Sequence, residues 1–74
     1  MATKSQHAKS YAQVPGFLRS LRESAGLTQR ELGTKLHKPQ SWVHNCESGN
    51  RRVDVAEFVV WARNCGVDPL TALR

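Results

Sequence analysis

The segment 27–49 constrains the fold more than any other part of the chain, because it contains start signals for two short helices. Thr28 and Glu31 match a capping box, in which each side chain accepts a hydrogen bond from the other residue's backbone N–H. Pro39 favours the first turn of a second helix, where its missing N–H would have had no partner. Lys38 is held out of the helical region by that proline. Two short helices joined by a tight turn are therefore predicted.

Helix signals continue on both sides of this segment. Pro15 and Gly16 are predicted to mark a boundary. Residues 17–25 after them carry one apolar stripe and are followed by a glycine, a residue typical of helix ends. Asp54 and Glu57 repeat the capping box before a helix predicted at about residues 54–64. Asp68 is expected to cap a short last helix that begins at Pro69. No stretch shows the alternation typical of a strand. The expected fold class is all-α, with about five short helices.

Length and charge bound the domain organisation and the class of partner. The 74 residues suffice for one domain, predicted at residues 15–74 after a flexible basic arm at residues 1–14. That arm is either a solvated tail or a segment that touches phosphates. Eleven Lys or Arg residues against six Asp or Glu residues leave a net charge of +5. This excess favours a polyanionic partner, nucleic acid first and an acidic membrane surface second.

The sequence also argues against a membrane or secreted protein. No apolar run approaches the ~20 residues of a membrane span, and the N-terminus lacks the apolar region of a secretory signal. Cys46 and Cys65 fall at positions predicted to be buried, without C-x-x-C spacing, which is typical of core thiols in a reducing compartment. We expect a cytoplasmic protein, associated with the nucleoid if it binds DNA.

Metal-binding and catalytic patterns are not found. Among His37, His44, Cys46 and Cys65 no pair has zinc-finger spacing, and His44 and Cys46 point to different faces of a helix. The chain has no glycine-rich phosphate loop, nucleophile elbow or paired catalytic carboxylates. We therefore expect no metal, no cofactor and no enzymatic activity.

Taken in order, the motifs resemble the phage-repressor type of helix-turn-helix domain, the Cro/C1 or xenobiotic-response-element (XRE) family. The resemblance covers residues 17–73 and is carried by Leu27-Thr28-Gln29, Leu32-Gly33, Leu36, Pro39-Gln40-Ser41, Val43, Glu47, Gly49, Asp54-Val55, Glu57-Phe58 and Cys65-Gly66-Val67-Asp68-Pro69. It implies a lambda-repressor-like fold that binds DNA, with helix 39–48 in the major groove.

Four positions set expectations about packing within such a fold. Gly33 costs about 1 kcal/mol of helix propensity, and we expect the next helix to approach it too closely for a larger side chain. His37 stands where the family usually has a turn glycine. If it keeps the left-handed conformation, its side chain costs on the order of 1 kcal/mol. Cys46 and Cys65 stand where large aliphatic residues are usual, which leaves the core underfilled.

Four polar residues on the outward face of the second motif helix are candidates for reading base edges: Gln40, Ser41, His44 and Asn45. Gln40 and Ser41 lie in the first turn, the end that penetrates deepest in this docking mode. Amide side chains can pair with adenine, serine with either groove partner, and histidine with guanine or a phosphate. The alternative for each residue is ordinary solvation.

Other residues are candidates for phosphate contact, which positions a protein on DNA without reading its sequence. Gln29 begins the first motif helix, where its amide and free backbone N–H groups can bind a phosphate. Arg51 and Arg52 follow the second motif helix, and Lys38 lies in the turn. Trp42 has two open interpretations: it contacts DNA, at a thymine methyl group or along the sugar-phosphate backbone, or it folds back over the first motif helix and shields the core.

The resemblance also implies an ion pair between Arg22, near the end of the helix before the motif, and Glu47 at the end of the second motif helix. The pair would lock the recognition helix onto the scaffold. Removing one member of a partly buried pair costs about 3–5 kcal/mol.

Two hypotheses about function follow. The leading one is a transcriptional repressor that binds a near-palindromic operator as a homodimer, with half-sites about 34 Å apart. Val59, Leu70 and Leu73 are candidates for the dimer surface. The rival is an antitoxin or accessory module whose main partner is another protein, which a large exposed apolar patch would favour.

Overall fold

The computed structural model of the chain describes residues 11–72. Five helices lie wholly within this range, and no strand occurs in it: α1 (Val14–Ser24), α2 (Gln29–Leu36), α3 (Gln40–Ser48), α4 (Val55–Asn64) and α5 (Pro69–Ala72). The all-α class with about five short helices is confirmed. Residues 1–10, most of the predicted arm, lie outside the described residues.

Helix α1 begins at Val14, earlier than the predicted start at Phe17. Pro15 is tolerated because the first turn of a helix needs no N–H donor. The Pro-Gly pair therefore belongs to the helix and does not mark the boundary before it. The C-terminal end of α1 agrees with the prediction, since Gly26 follows it with a φ of 73°.

The predicted capping box at the start of α2 is formed. The Thr28 hydroxyl accepts a hydrogen bond from the Glu31 N–H at 3.0 Å, and the Glu31 carboxylate accepts one from the Thr28 N–H at 2.8 Å. The helix ends at His37, whose φ of 58° lies in the left-handed region. His37 therefore takes the conformation of the turn glycine that it replaces, at the expense of side-chain strain.

Gly33 is buried against the turn that follows its own helix. A Cβ atom on Gly33 would lie 2.6 Å from the Lys38 carbonyl oxygen, and the Lys38 N–H donates to the Gly33 carbonyl at 2.8 Å. The predicted close approach exists, but its source is the backbone of Lys38 and Pro39 and not the body of the next helix. His37 reverses the chain so sharply that the turn itself covers the glycine.

The remaining helix ends follow local sequence signals. Pro39 is the N-cap of α3, with extended backbone (φ −69°, ψ 159°), and not its first helical residue as predicted. Gly49 ends α3 with a φ of 85°. The second capping box, Asp54 with Glu57, begins α4. The Asp68 carboxylate accepts a hydrogen bond at 3.0 Å from the backbone of α5, as predicted.

The core is built around Trp61, which is fully buried. Its indole Nε1 donates to the Leu18 carbonyl at 3.1 Å, so the only polar atom of the ring has a partner. The other large side chains that are fully buried are Leu18, Leu32, Val43 and Cys46. Both cysteines are buried free thiols, as predicted, and burial raises the pKa of each. They fill the core as small apolar side chains.

Two kinds of feature are absent from residues 11–72. No helix there is long and apolar enough to cross a membrane. No three His, Cys, Asp or Glu side chains of this range are grouped closely enough to hold a metal ion. Of the zinc-type ligands considered above, His37 and His44 are exposed, whereas Cys46 and Cys65 are buried.

Candidate nucleic-acid interface

The exposed face of α3 carries three of the four residues predicted to read base edges. Gln40, Ser41 and His44 are exposed, and their side chains form no hydrogen bond with another described residue. Asn45 is half-buried, and its backbone carbonyl accepts hydrogen bonds from the Ser48 hydroxyl at 3.3 Å and from a loop N–H at 3.1 Å. Because Val43 and Cys46 are buried on the other side, α3 presents polar groups outward and apolar groups inward.

The Arg22–Glu47 ion pair is formed and fastens α3 to α1. Arg22 Nε and Nη2 donate to the two carboxylate oxygens at 2.7 and 3.0 Å, and Nη1 donates to the Leu27 carbonyl at 2.8 Å. The two side chains are only 11% and 4% exposed. Glu47 raises the pKa of the Arg22 guanidinium through this hydrogen bond, which outweighs the effect of burial. The guanidinium is thus held as a charged partner.

Gln29 is joined to the same carboxylate. Its amide Nε2 donates to Glu47 Oε1 at 3.1 Å, a contact that no sequence pattern indicated. This bond uses one amide hydrogen and leaves the second hydrogen and the amide oxygen available. The Glu47 carboxylate therefore orients the Gln29 side chain at the N-terminus of α2, in addition to holding α3 against α1.

A polar cleft lies where these helices meet. It is lined by Arg19, Arg22, Gln29, His44, Glu47 and Ser48. The cleft brings Gln29, a predicted phosphate contact, close to His44, a predicted base contact. Arg19 and Ser48 were not singled out from the sequence. For Arg19, the indication in the sequence is its i, i+3 spacing from Arg22, which puts both residues on one side of α1.

The Trp42 ring lies against the core. It is half-buried, and its centroid is 6.2 Å from that of Trp61. Lys38 Nζ and Arg51 Cζ lie 5.3 and 4.9 Å from the Trp42 ring centroid, within the range of cation–π attraction. Of the two interpretations offered for Trp42, this position fits shielding of the core. Three predicted phosphate contacts are thus gathered into one cluster.

Arg51 is engaged by a carboxylate. Its Nη1 and Nη2 donate to the two oxygens of Glu57 at 3.1 and 3.0 Å. The same carboxylate accepts the Asp54 N–H at 3.0 Å, so Glu57 caps α4 and holds Arg51 together. The Arg51 guanidinium lowers the pKa of the Glu57 carboxyl, and the hydrogen bond from Asp54 lowers it further. The sequence had marked Glu57 only as a capping residue.

We expect Glu57→Gln to flatten the acid side of the stability profile. Because the pKa of Glu57 is lower in the folded state, its ion pair stabilises the fold above the unfolded-state pKa of about 4.3, and this stabilisation is lost as pH falls through the folded-state value. Glutamine retains an acceptor for the capping bond but cannot titrate. Thermal melts from neutral to acid pH measure the effect, with Arg51→Ala flattening the same region. Equal slopes in the wild type and the glutamine variant would contradict the pairing.

Arg52 has a different neighbour from Arg51. Its guanidinium carbon lies 4.1 Å from the centroid of the Tyr11 ring, and the Val53 N–H donates to the Tyr11 hydroxyl at 2.9 Å. No carboxylate within residues 11–72 forms an ion pair with Arg52. Tyr11 belongs to the stretch that was predicted as a loose arm, where neither an apolar period nor a capping motif marked it.

The residues considered for a dimer surface are only partly described. Val59 is half-buried, whereas Leu70 is 77% exposed. Leu73 lies outside the described residues. Val60, which follows Val59 in α4, is also exposed.

Residues 16–73 match the model of a helix-turn-helix domain family. Among solved structures, the chain is similar to an XRE-family like protein from Pseudomonas syringae pv. tomato str. DC3000, at 42% sequence identity and a TM-score of 0.89. That similarity covers 97% of this chain and 88% of the other. No protein with a curated functional description matches the chain.

Proposed function

Because the chain belongs to the XRE-type family of helix-turn-helix domains, we propose that it is a sequence-specific regulator of transcription that inserts α3 into the major groove of double-stranded DNA. The observation that carries this proposal is the outward face of α3. Gln40, Ser41 and His44 are exposed there without hydrogen-bond partners among the described residues, on a helix whose opposite side is buried. Polar side chains that are positioned but unpaired are what base-edge recognition requires.

In this proposal Gln40 and Ser41 read base edges from the first turn of α3, and His44 and Asn45 act one turn further along. Half-burial of Asn45 restricts its reach, so its amide contributes to fewer contacts than that of Gln40. His44 lies in the cleft beside Gln29, which suits a contact at the edge of the groove, to guanine or to a phosphate.

Phosphate contacts then come from three elements around α3. Gln29, at the N-terminus of α2, offers its remaining amide hydrogen next to free backbone N–H groups. Lys38 in the turn and Arg52 in the loop after α3 are exposed. Arg51 and Trp42 take a supporting part, because the guanidinium is bound to Glu57 and the ring packs against Trp61.

We propose further that the protein acts as a repressor and binds a near-palindromic operator as a homodimer. Two copies of α3 set about 34 Å apart would enter successive major grooves on one side of the duplex. The exposed apolar residues Val60 and Leu70 favour a self-association surface that includes α4 and α5.

A protein-interaction role, as an antitoxin or accessory factor, is the second candidate. The observation that favours it is an apolar groove between α1 and the start of α4, lined by Val14, Phe17, Val53, Asp54, Val55 and Phe58. A groove of this kind suits an apolar segment of a partner. Protein binding in this groove does not involve the polar face of α3. The two candidate functions therefore depend on different surfaces.

Selection of bound sequences from random duplex DNA tests the main proposal. We expect one sequence with approximate two-fold symmetry to be enriched, and the logarithm of its binding constant to fall linearly with the logarithm of salt concentration. Enrichment of an asymmetric sequence would support sequence-specific DNA binding but contradict binding as a two-fold dimer. Failure to enrich any sequence would contradict the proposal and favour the protein-interaction role.

Gln40→Ala and Arg52→Ala should separate base reading from phosphate contact. Loss of Gln40 should relax preference at one or two base positions, by about 1–3 kcal/mol each, with an unchanged salt slope. Loss of Arg52 should weaken binding to all sequences alike and reduce the salt slope by about 1. Titrations of selected and unselected duplexes at several salt concentrations measure both effects. If the two variants behaved alike, the division of roles would be wrong.

A further inference from the structure

We propose that Tyr11 is a positioning residue for DNA binding, which holds Arg52 and the loop before α4 in the orientation that a phosphate contact requires. The inference rests on the proposed function and deepens it. Tyr11 lies outside the helix-turn-helix segment in sequence, yet its side chain reaches the loop that follows the recognition helix.

The peptide unit between Arg52 and Val53 is held from both sides. Its carbonyl, on Arg52, accepts a hydrogen bond from Arg51 Nη1 at 2.9 Å. Its N–H, on Val53, donates to the Tyr11 hydroxyl at 2.9 Å. The two groups of a trans peptide point in opposite directions, so two such bonds fix the rotation of the peptide plane. Fixing that plane restricts the direction in which the Arg52 side chain leaves the backbone.

The aromatic ring restrains the other end of the same side chain. The Arg52 guanidinium carbon lies 4.1 Å from the Tyr11 ring centroid, within the range of cation–π attraction. A guanidinium that contacts a ring through its planar face keeps its N–H donors, which lie in the plane at its edge, free for a phosphate. The ring therefore orders the side chain without using the groups that bind DNA.

The two neighbouring arginines show what this arrangement achieves. Arg51 is bound by the Glu57 carboxylate, which neutralises its charge and occupies two of its nitrogens. Arg52 packs on the Tyr11 ring, and no carboxylate within residues 11–72 forms an ion pair with its guanidinium. An aromatic ring orders a guanidinium without neutralising its charge, so the guanidinium can still bind a phosphate. A carboxylate instead competes with the phosphate for the guanidinium.

Tyr11→Leu tests the inference, because leucine retains apolar bulk and removes both the hydroxyl and the ring face. In the full chain we expect about a three-fold loss of affinity for random-sequence duplex DNA at low salt, with a salt slope reduced toward that of Arg52→Ala. Tyr11→Phe retains the ring and should recover most of the affinity. Arg63→Ala, at the other end of α4, removes one positive charge away from the loop and should change affinity less than Arg52→Ala does.

A double-mutant cycle distinguishes positioning from a general effect on stability. In the Arg52→Ala background, Tyr11→Leu should change DNA affinity less than two-fold, because the side chain that it orders is gone. Losses that multiply in the double variant would overturn the inference, as would full affinity in Tyr11→Leu or a phenylalanine variant no better than leucine. If the wild-type chain bound no duplex at all, the proposed function would fail first. If the wild-type chain bound duplex DNA and Tyr11→Leu bound it equally well, only this inference would be refuted, and the proposed function would stand.

Discussion

Replacing Glu47 with alanine is expected to remove about 3–5 kcal/mol of unfolding free energy and to lower the melting temperature by on the order of 20 °C. Two nitrogens of Arg22 and the amide of Gln29 converge on this carboxylate, which is almost inaccessible to water. Alanine leaves the partly buried Arg22 charge without its carboxylate partner and removes the ion pair between α3 and α1. Thermal and urea denaturation followed by circular dichroism measure the loss.

Two further variants control for trivial causes. Glu23→Ala breaks the exposed Arg19–Glu23 ion pair on α1, the helix that also carries Arg22. It should change the free energy of unfolding by less than about 1 kcal/mol. Arg22→Met combined with Glu47→Leu removes both charges and should be more stable than Glu47→Ala alone, because no unpaired charge remains. A melting temperature for Glu47→Ala equal to that of the wild type would show that the pair does not hold the recognition helix.

Alanine at Gly33 is expected to destabilise the domain by about 2 kcal/mol, although alanine is the better helix former by about 1 kcal/mol. The new Cβ would meet the Lys38 carbonyl oxygen at 2.6 Å and the Pro39 backbone at 3.4 Å. These are main-chain atoms, which cannot rotate aside as a side chain would. The turn must move, and the start of α3 must move with it.

The same variant should therefore bind DNA less tightly even at temperatures where it is fully folded. Gly16→Ala is the matched control, because Gly16 lies in α1 and a Cβ there would meet no atom within 4 Å. That substitution should leave stability unchanged or raise it by up to about 1 kcal/mol. If both alanine variants were equally stabilised, the close approach of the turn to Gly33 would be refuted. Denaturation curves and duplex titrations of both variants provide the comparison.

Local signals in the sequence predicted the helices well. Both capping boxes formed as expected, since each needs only two side chains and the backbone of a single turn. The left-handed conformation of His37 was raised only as a condition, from the glycine that the family usually has in this turn, and the structure shows it with a φ of 58°. The start of α1 was missed, because a proline in the first turn was taken as a boundary.

The candidate site was predicted less completely. The polar residues of α3 followed from helical spacing, and the Arg22–Glu47 pair followed from resemblance to the family. Neither spacing nor resemblance distinguished Arg51 from Arg52, which are identical residues side by side. The difference between them lies in Glu57 and Tyr11, and the latter is brought to the loop only by the packing of the domain.

The sequence by itself determined where most helices begin and end and which face of α3 is polar, because capping and amphipathic spacing act over a few residues. Apart from the Arg22–Glu47 pair, which the resemblance to the family implied, only the tertiary structure decided which polar and charged groups are already bound within the protein. The Glu47 carboxylate binds Arg22 and Gln29, and the Glu57 carboxylate binds Arg51. Arg52 instead lies on the Tyr11 ring. Such pairings depend on the distance between side chains that are far apart in the chain, and packing alone sets that distance.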